Sequence, residues 1–306
     1  MFNKNSNKTL WLVFAALLVV VILVFSTEST KQEKSFNTDI VSIDTSSISS
    51  FSIFPKSQNG KEVKFLKDGD IWKVSGDDGK SFSVPNNKIE NIFNQLMQIK
   101  PKRVAARSKN KWTEYQVDSA ATRVVVRENG SDVLDIIIGK FAFQQPRTMS
   151  TFVRLTDEND VYEVDGFLDM TFNKDVNSFR NETVLKSDKN NWNRLTFSSN
   201  ESESFDLVKV DNSWTIDGAK TDSAKTENAL SALSRLTNTT FINTEAANLP
   251  PQTSKLTISQ TDGEPIEITA YKNEGSYIIH SSQNKENYFD GNKIGEKIFI
   301  TKESLF

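Results

Sequence analysis

The chain has 306 residues, of which 37% are hydrophobic and 25% are charged, and its net charge at pH 7 is −3. This length and composition allow two domains with buried cores and exclude a chain that is disordered throughout. Charges of both signs are interspersed, which argues against nucleic acid as a partner. With no cysteine and one histidine, His280, the sequence excludes disulfides, thiolate chemistry and a histidine-rich zinc site.

The first apolar segment of the chain predicts a membrane anchor. Residues 10–25, LWLVFAALLVVVILVF, carry no charge. With their flanking residues they can cross a hydrocarbon core of about 30 Å as a helix that rises about 1.5 Å per residue. Lys4 and Lys8 precede the segment without an acidic residue, which places the N-terminus in the cytoplasm. A cleaved signal peptide is the alternative, although VFSTEST is a poor cleavage site. We predict a cytoplasmic tip and transmembrane anchor over residues 1–27 and a polar tether over 28–39.

From residue 40 onward the sequence alternates short strands with tight turns. Asp68-Gly69-Asp70 and Asn129-Gly130 each separate two runs of alternating apolar residues, which is a strong signal for a β-hairpin. Between these hairpins, apolar residues recur at spacings of three and four from Ile89 to Met97, which predicts one amphipathic helix. A further hairpin is predicted with its turn at 157–160.

The second half of the chain repeats this order of elements. LVKVDNSWTIDG at 207–218 matches LKDGDIWKVSG at 66–76, and a helix and two hairpins follow in both halves. We therefore predict an α+β fold in which the N-terminal transmembrane helix precedes two tandem repeats of a β-rich module, each an antiparallel sheet with one packed helix. The predicted modules span 40–172 and 192–306, with a linker over 173–191. Trp72 and Trp214 are predicted to anchor the helix on the sheet, with ligand stacking as the alternative.

Four stretches resemble a bacterial family of unknown function, DUF4340. They are GDIWKVSG at 69–76, IENIFNQLMQIKPKRVAAR at 89–107, WTEYQVDSAATRVVVRENGSDVLDIIIGK at 112–140 and STFVRLTDENDVYEVD at 150–165. The resemblance extends well over 40–185 and more loosely over the second module. The family usually has Gly-Leu after the tyrosine that matches Tyr115, followed by a turn with proline. This chain has Gln116 and Val117 at these positions and no proline after them. The difference from the family pattern affects the geometry of this loop and leaves the predicted fold unchanged.

The resemblance implies a role rather than a reaction. Members of this family have no established activity and look like membrane-anchored auxiliaries of an ABC-type export system, similar to the transporter subunits linked to gliding motility in Bacteroidota-type bacteria. By resemblance, the partners would be permease and auxiliary subunits of an ABC transporter. The anchor would lie in the inner membrane and the modules in the periplasm.

The residues themselves offer no catalytic constellation. His280 adjoins Ser281 and Ser282, but neighbouring residues on a strand point to opposite faces, which is poor geometry for a nucleophile and its base. The carboxylates near Asp68 and Asp157 lie in predicted turns and lack the spacing of a calcium loop. We therefore expect no enzyme activity, no metal and no cofactor, and a hydrolase is disfavoured.

Two segments are candidates for a partner surface. GKFAFQQPRTMSTF at 139–152 is too apolar for an ordinary exposed loop, and its counterpart in the second half is short, so Phe141, Phe143, Pro146, Arg147 and Met149 are predicted to contact a partner. The segment 100–111 is rich in cations, and it is either a solvated loop or a site for anionic headgroups or an acidic protein face. Its candidate residues are Lys100, Lys102, Arg103 and Arg107.

These observations lead to one expected function and one alternative. The expectation is a non-enzymatic, membrane-anchored periplasmic protein that serves as an auxiliary or assembly component of an ABC-type transport system. The alternative is a periplasmic protein that binds a ligand or the cell envelope in the groove between its two modules, because binding sites often form between domains.

Overall fold

The computed structural model describes residues 11, 13–20, 36–76, 79–144, 148–273 and 276–306. Trp11 and residues 13–20 are helical and exposed, and the remainder of the predicted anchor and most of the tether lie outside the described residues. None of the described helices has the length and apolar character needed to cross a membrane. The anchor therefore stays a prediction from the sequence.

The first half of the chain forms a nine-stranded antiparallel sheet with one long helix. The elements, in chain order, are β1 (Ile48–Phe54), β2 (Val63–Asp68), β3 (Ile71–Ser75), β4 (Ser81–Val84), α1 (Asn86–Met97), β5 (Pro101–Ala106), α2 (Trp112–Tyr115), β6 (Thr122–Glu128), β7 (Ser131–Gln144), β8 (Thr148–Leu155), β9 (Val161–Asp165) and α3 (Asp169–Phe172). The order across this sheet is β4-β3-β2-β1-β6-β7-β8-β9-β5.

The second half forms another nine-stranded antiparallel sheet, also with one long helix. Its elements are β10 (Thr183–Lys186), β11 (Trp192–Ser199), β12 (Phe205–Val210), β13 (Ser213–Ile216), β14 (Ala219–Lys220), α4 (Ser223–Leu233), β15 (Arg235–Thr237), β16 (Phe241–Ile242), β17 (Gln252–Gln260), β18 (Ile266–Asn273), β19 (Ser276–Ser281), β20 (Asn284–Asp290) and α5 (Gly295–Ile298). The order β14-β13-β12-β11-β17-β18-β19-β20-β16 matches that of the first sheet strand for strand. β10 and β15 form a separate two-stranded sheet.

The hairpins form where the turn residues predicted them. Asn129 and Gly130, both with positive φ, connect β6 to β7, and Glu128 pairs with Ser131. This backbone conformation suits asparagine and glycine and matches the twist of the flanking strands. The predicted apolar face of α1 is buried against the sheet through Ile89, Ile92, Phe93 and Leu96.

Each sheet has its own hydrophobic core, and the segment between the sheets is packed rather than extended. In the segment predicted as a linker, Phe179 lies in the first core, whereas Val184 and Leu185 lie in the second. β10, which carries these two residues, pairs with β15 after α4. Residues 173–191 therefore fasten the chain to both cores.

The outer face of the first sheet carries a second layer. Residues 107–121, which include α2, cover this face, and Val117 packs with Ile137, Phe152 and Val161 in a small buried cluster. The buried guanidinium of Arg154 lies 3.6 Å from the ring centroid of Trp112 and donates to four carbonyl oxygens, of Val117, Leu155, Thr156 and Glu158. Burial lowers the pKa of Arg154 from its usual value.

Candidate partner-binding surface

β7 and β8 extend beyond the sheet as a two-stranded ribbon, which we define as residues 140–144 and 148–149. The last pair between β6 and β7 is Thr122 with Ile138, although β7 continues to Gln144. On the other side, the pairing of β8 with β9 reaches only to Ser150. The matching strand of the second sheet, β18, stays paired with β17 up to Tyr271 and ends at Asn273. The ribbon is thus a feature of the first sheet.

One face of the ribbon is apolar and exposed. Phe143 is directly opposite Met149, and these side chains are 55% and 49% exposed. Phe141 follows on the same face and is 37% exposed. Its ring centroid lies 4.6 Å from that of Phe167, which precedes α3. We call Phe141, Phe143, Met149 and Phe167 the apolar patch. Met170, on α3, is 65% exposed and follows Phe167 closely in the chain.

The apolar patch overlaps the residues predicted from the sequence without coinciding with them. Phe141, Phe143 and Met149 are brought together, whereas Pro146 and Arg147 lie outside the described residues. Phe167 and Met170 were missed because they follow β9, far from 139–152 in the sequence. The signal that could have found them is the run of four large apolar residues in GFLDMTF, two of which stay exposed.

The first half of the cation-rich segment, residues 101–106, is an edge strand, and a short helical turn follows at residues 109–111. β5 pairs with β9, and this pairing sets Lys102 and Arg103 of β5, and Arg107 directly after it, beside carboxylates of β9 and the preceding turn. Lys102 forms an ion pair with Asp165, Arg103 with Glu163, and Arg107 with Asp160.

These three ion pairs reduce the charge available to an anionic partner. Lys100, which precedes β5, is exposed. Because the other three candidate cations already face carboxylates, little free positive charge is left on this strand for headgroups or an acidic protein. The Lys102–Asp165 pair is exposed and adds little to stability, whereas the Glu163 carboxylate that faces Arg103 is buried.

The two tryptophans predicted to anchor the helices differ in burial. Trp72 lies in the first core, with ring centroids 5.3 Å from Phe51 and 5.7 Å from Phe93 of α1. Trp214 is only half-buried at the margin of the second core, with the Nζ of Lys209 5.9 Å from its ring. In both positions the indole contacts core side chains of its own module.

The side chains examined for chemistry are engaged in ordinary contacts. The imidazole of His280 stacks on Tyr288 at 4.8 Å, and its Nε2 lies 3.3 Å from the carbonyl oxygen of Lys285. Within the described part of the chain, no group of three or more histidine, aspartate or glutamate side chains is arranged to hold a metal.

The junction between the two sheets is built around Arg180. Its guanidinium lies 3.5 Å from the ring centroid of Phe82 and 4.1 Å from that of Phe241. A cavity of about 380 Å³ opens beside this arginine. Its polar lining includes Glu62 from the first module, Asp175 and Asn177 from the segment 173–191, and Asn243 from the second module.

The comparisons with known proteins identify the family of the chain but no individual relative. The family described as Domain of unknown function (DUF4340) matches residues 72–255, which is more than half of the chain. The chain therefore belongs to this family. The match begins at Trp72 in β3 and runs through the ribbon and the junction into β17. No curated protein and no solved structure matches the chain.

Proposed function

We propose that this chain is a non-enzymatic, membrane-anchored interaction protein of the bacterial periplasm that assembles with an ABC-type transport system. The observation that carries the proposal is the apolar patch. Three of its side chains lie on a ribbon that the second sheet, with the same strand order, does not have. The fold is therefore complete without the ribbon, and an exposed apolar surface of this kind is typical of a protein interface.

The energetics of the apolar patch favour a partner. Full burial of a side chain such as phenylalanine or methionine stabilises by about 1.5–3 kcal/mol. Phe143 and Met149 forgo much of this in the isolated chain because about half of each side chain is exposed. Methionine also adapts its shape to different contacts, which is common at interaction surfaces.

The transporter is proposed from the family and the predicted anchor. The chain belongs to DUF4340, whose members resemble auxiliaries of ABC-type export systems, and residues 10–25 have the composition of a membrane segment. In this account the anchor lies in the inner membrane, the N-terminus in the cytoplasm, and both modules in the periplasm. The shared strand order of the two sheets further supports tandem duplication of one module.

Ligand binding between the modules is the second candidate, and the cavity beside Arg180 is the observation that favours it. The centre of the junction is nevertheless filled, because the guanidinium of Arg180 occupies the space between the rings of Phe82 and Phe241. A ligand could therefore bind only at the rim of the junction. We accordingly give the interaction role precedence.

The proposal is tested by chemical crosslinking of the full-length protein in its native membrane, followed by purification and mass spectrometry. We expect an ABC permease and its companion subunits among the crosslinked products. Purification of the membrane complex without any transporter subunit would contradict the assembly role. If the protein is monomeric and no membrane partner is recovered, ligand binding at the junction becomes the favoured function.

A further inference from the structure

The ribbon has an open backbone edge, and the pairing of its strands shows which residues form that edge. The N–H of Gly166 donates to the carbonyl oxygen of Met149 at 3.0 Å, so the backbone of Met149 faces β9. In an antiparallel pair, successive residues direct their N–H and C=O groups to opposite sides. Phe143 is opposite Met149 and Phe141 is opposite Thr151, so both phenylalanines direct these groups away from β8.

Among the described residues, no strand lies beside this end of β7 on the side to which these groups point. β6 pairs with β7 only as far as Ile138, and no backbone hydrogen bond from elsewhere in the described chain reaches Phe141 or Phe143. The edge of β4, by contrast, is closed by this chain itself. There the N–H of Asn181 donates to the Ser83 carbonyl at 3.2 Å, and Glu286 accepts from the N–H of Ser83 at 2.7 Å.

Residues 141–144, which form the open edge of the ribbon, also lack the proline and the charged side chains that usually protect an edge strand. The register irregularity in the pairing of β7 with β8 lies before them, between Ile138 and Phe141. Proteins protect exposed edge strands against pairing with other chains by proline, by charged side chains and by bulges. β5 follows this rule, since it begins at Pro101, carries Lys102 and Arg103, and pairs with β9 through two register shifts. The ribbon edge reads Phe-Ala-Phe-Gln from 141 to 144, with neither proline nor charge.

We infer that the partner contributes an extended strand that pairs with the open edge of β7 at Phe141 and Phe143. This inference rests on the proposed interaction role and specifies how the partner is recognised. Backbone groups of the added strand would pair with the N–H and C=O groups of both phenylalanines. Its alternate side chains would be apolar and would lie beside the rings of Phe141 and Phe143, because side chains alternate across a strand. The partner segment is therefore a short extended peptide of alternating apolar residues, within a larger protein.

The direct test is amide hydrogen exchange on the full-length protein, measured alone and in the complex purified after crosslinking. Strand addition predicts that the amides of Phe141 and Phe143 exchange at least tenfold more slowly in the complex. The β18–β19 hairpin of the second sheet serves as the internal control and should not change. Unchanged exchange at Phe141 and Phe143 in a complex that contains the partner would overturn strand addition and leave the interaction role standing.

Two variants at position 143 distinguish the contribution of the backbone to partner binding from that of the side chain. Phe143→Ala and Phe143→Pro both remove the ring, but only proline removes the N–H. Proline is tolerated at an edge position whose N–H lacks a partner, so both variants should melt at similar temperatures. We expect the proline variant to recover at least fivefold less partner than the alanine variant. Equal recovery would overturn the inference.

Two further outcomes are distinguishable from these. The purified protein alone could show protection of the Phe141 and Phe143 amides that increases with protein concentration. This result would assign the edge to a second copy of this chain and overturn the inference. Absence of any crosslinked partner with the wild-type protein would overturn the interaction role, and strand addition with it.

Discussion

Arg180 stacks on Phe82, with the guanidinium carbon 3.5 Å from the ring centroid, and this contact joins the two halves of the chain. Phe82 lies on β4 at the edge of the first sheet, and Phe241 of β16 covers the opposite face of the guanidinium. Arg180 is 1% exposed and donates to the side-chain oxygens of Asn287, Asn177 and Asn243 at 2.7, 3.0 and 2.9 Å. One side chain therefore connects elements from both sheets.

Replacement of this arginine should destabilise the whole molecule. Arg180→Met keeps much of the volume but leaves three asparagine oxygens without their donor and removes both cation–π contacts. We expect a loss of about 3 kcal/mol or more in the free energy of unfolding, measured by chemical denaturation. Arg194→Met, at an exposed position of β11, is the matched control and should change stability by less than about 0.5 kcal/mol. Similar values for both variants would show that the junction is not held by Arg180.

Gln116 holds a backbone conformation that glycine prefers, and its substitution should stabilise the protein. Its φ is 54° and its ψ is 41°, at the end of α2. The left-handed conformation costs a residue with a side chain about 1–2 kcal/mol, whereas glycine loses about 0.5–1 kcal/mol more entropy on folding. Gln116→Gly should therefore raise the unfolding free energy by roughly 0.5 kcal/mol or more.

The control for this substitution is another glutamine at the end of a helix. Gln98 follows α1 with a φ of −81°, so Gln98→Gly should lower stability by about 0.5–1 kcal/mol. Thermal melting of the two variants decides the matter. A loss of stability in both would show that the conformation of Gln116 is not strained.

Gly139 lies where a side chain has no room, so its replacement should loosen the second layer from the first sheet. A Cβ at this position would lie 2.5 Å from the Tyr115 carbonyl oxygen and 2.5 Å from Cγ1 of Val117. Gly139→Ala should cost about 2–3 kcal/mol in unfolding free energy, because the backbone of residues 115–117 must shift. Gly295→Ala is the control, since its nearest neighbour would be Tyr277 at 4.0 Å. Equal effects would contradict the close approach.

Tyr162 should make the stability of the protein sensitive to alkaline pH. Burial raises the pKa of its hydroxyl above the usual value near 10, and the hydrogen bond that it donates to Glu158 at 2.7 Å acts in the same direction. The unfolded chain therefore ionises first, and stability present below pH 10 is lost as the pH rises above it. This group contributes a slope of up to about 1.4 kcal/mol per pH unit.

Tyr162→Phe removes this contribution while keeping the ring. At neutral pH the variant should be less stable by about 1 kcal/mol, because one hydrogen bond is lost. Above pH 10 its stability should fall less steeply than that of the wild type, as measured by urea denaturation between pH 9 and 11. Parallel pH profiles for the two proteins would exclude an ionisation effect at Tyr162.

Local sequence signals predicted the strands and hairpins well, because turn residues act over short distances. Asn129-Gly130 sets the β6–β7 turn by backbone preference alone, and the spacing of Ile89, Phe93 and Leu96 gives the buried face of α1 directly. The repeated order of elements likewise predicted two sheets with the same topology.

Long-range pairing was beyond the reach of the sequence. Arg103 has no local sign of a partner, since its ion pair with Glu163 depends on β5 returning to the edge beside β9. The contact of Phe167 with Phe141 depends in the same way on the register of β8 and β9. Arg180 lies in a mostly polar segment that was predicted as a linker. Nothing in the sequence of that segment indicates that this cation is buried.

The most direct test of the central claim uses single-cysteine crosslinking in the native membrane. The chain has no cysteine, so Met149→Cys places one reactive thiol in the apolar patch, and Val210→Cys places another on β12, where the side chain is also 49% exposed. We expect that a photoreactive group on residue 149 crosslinks to an ABC transporter subunit and that the same group on residue 210 does not. No adduct from residue 149, or the same adduct from both positions, would contradict it.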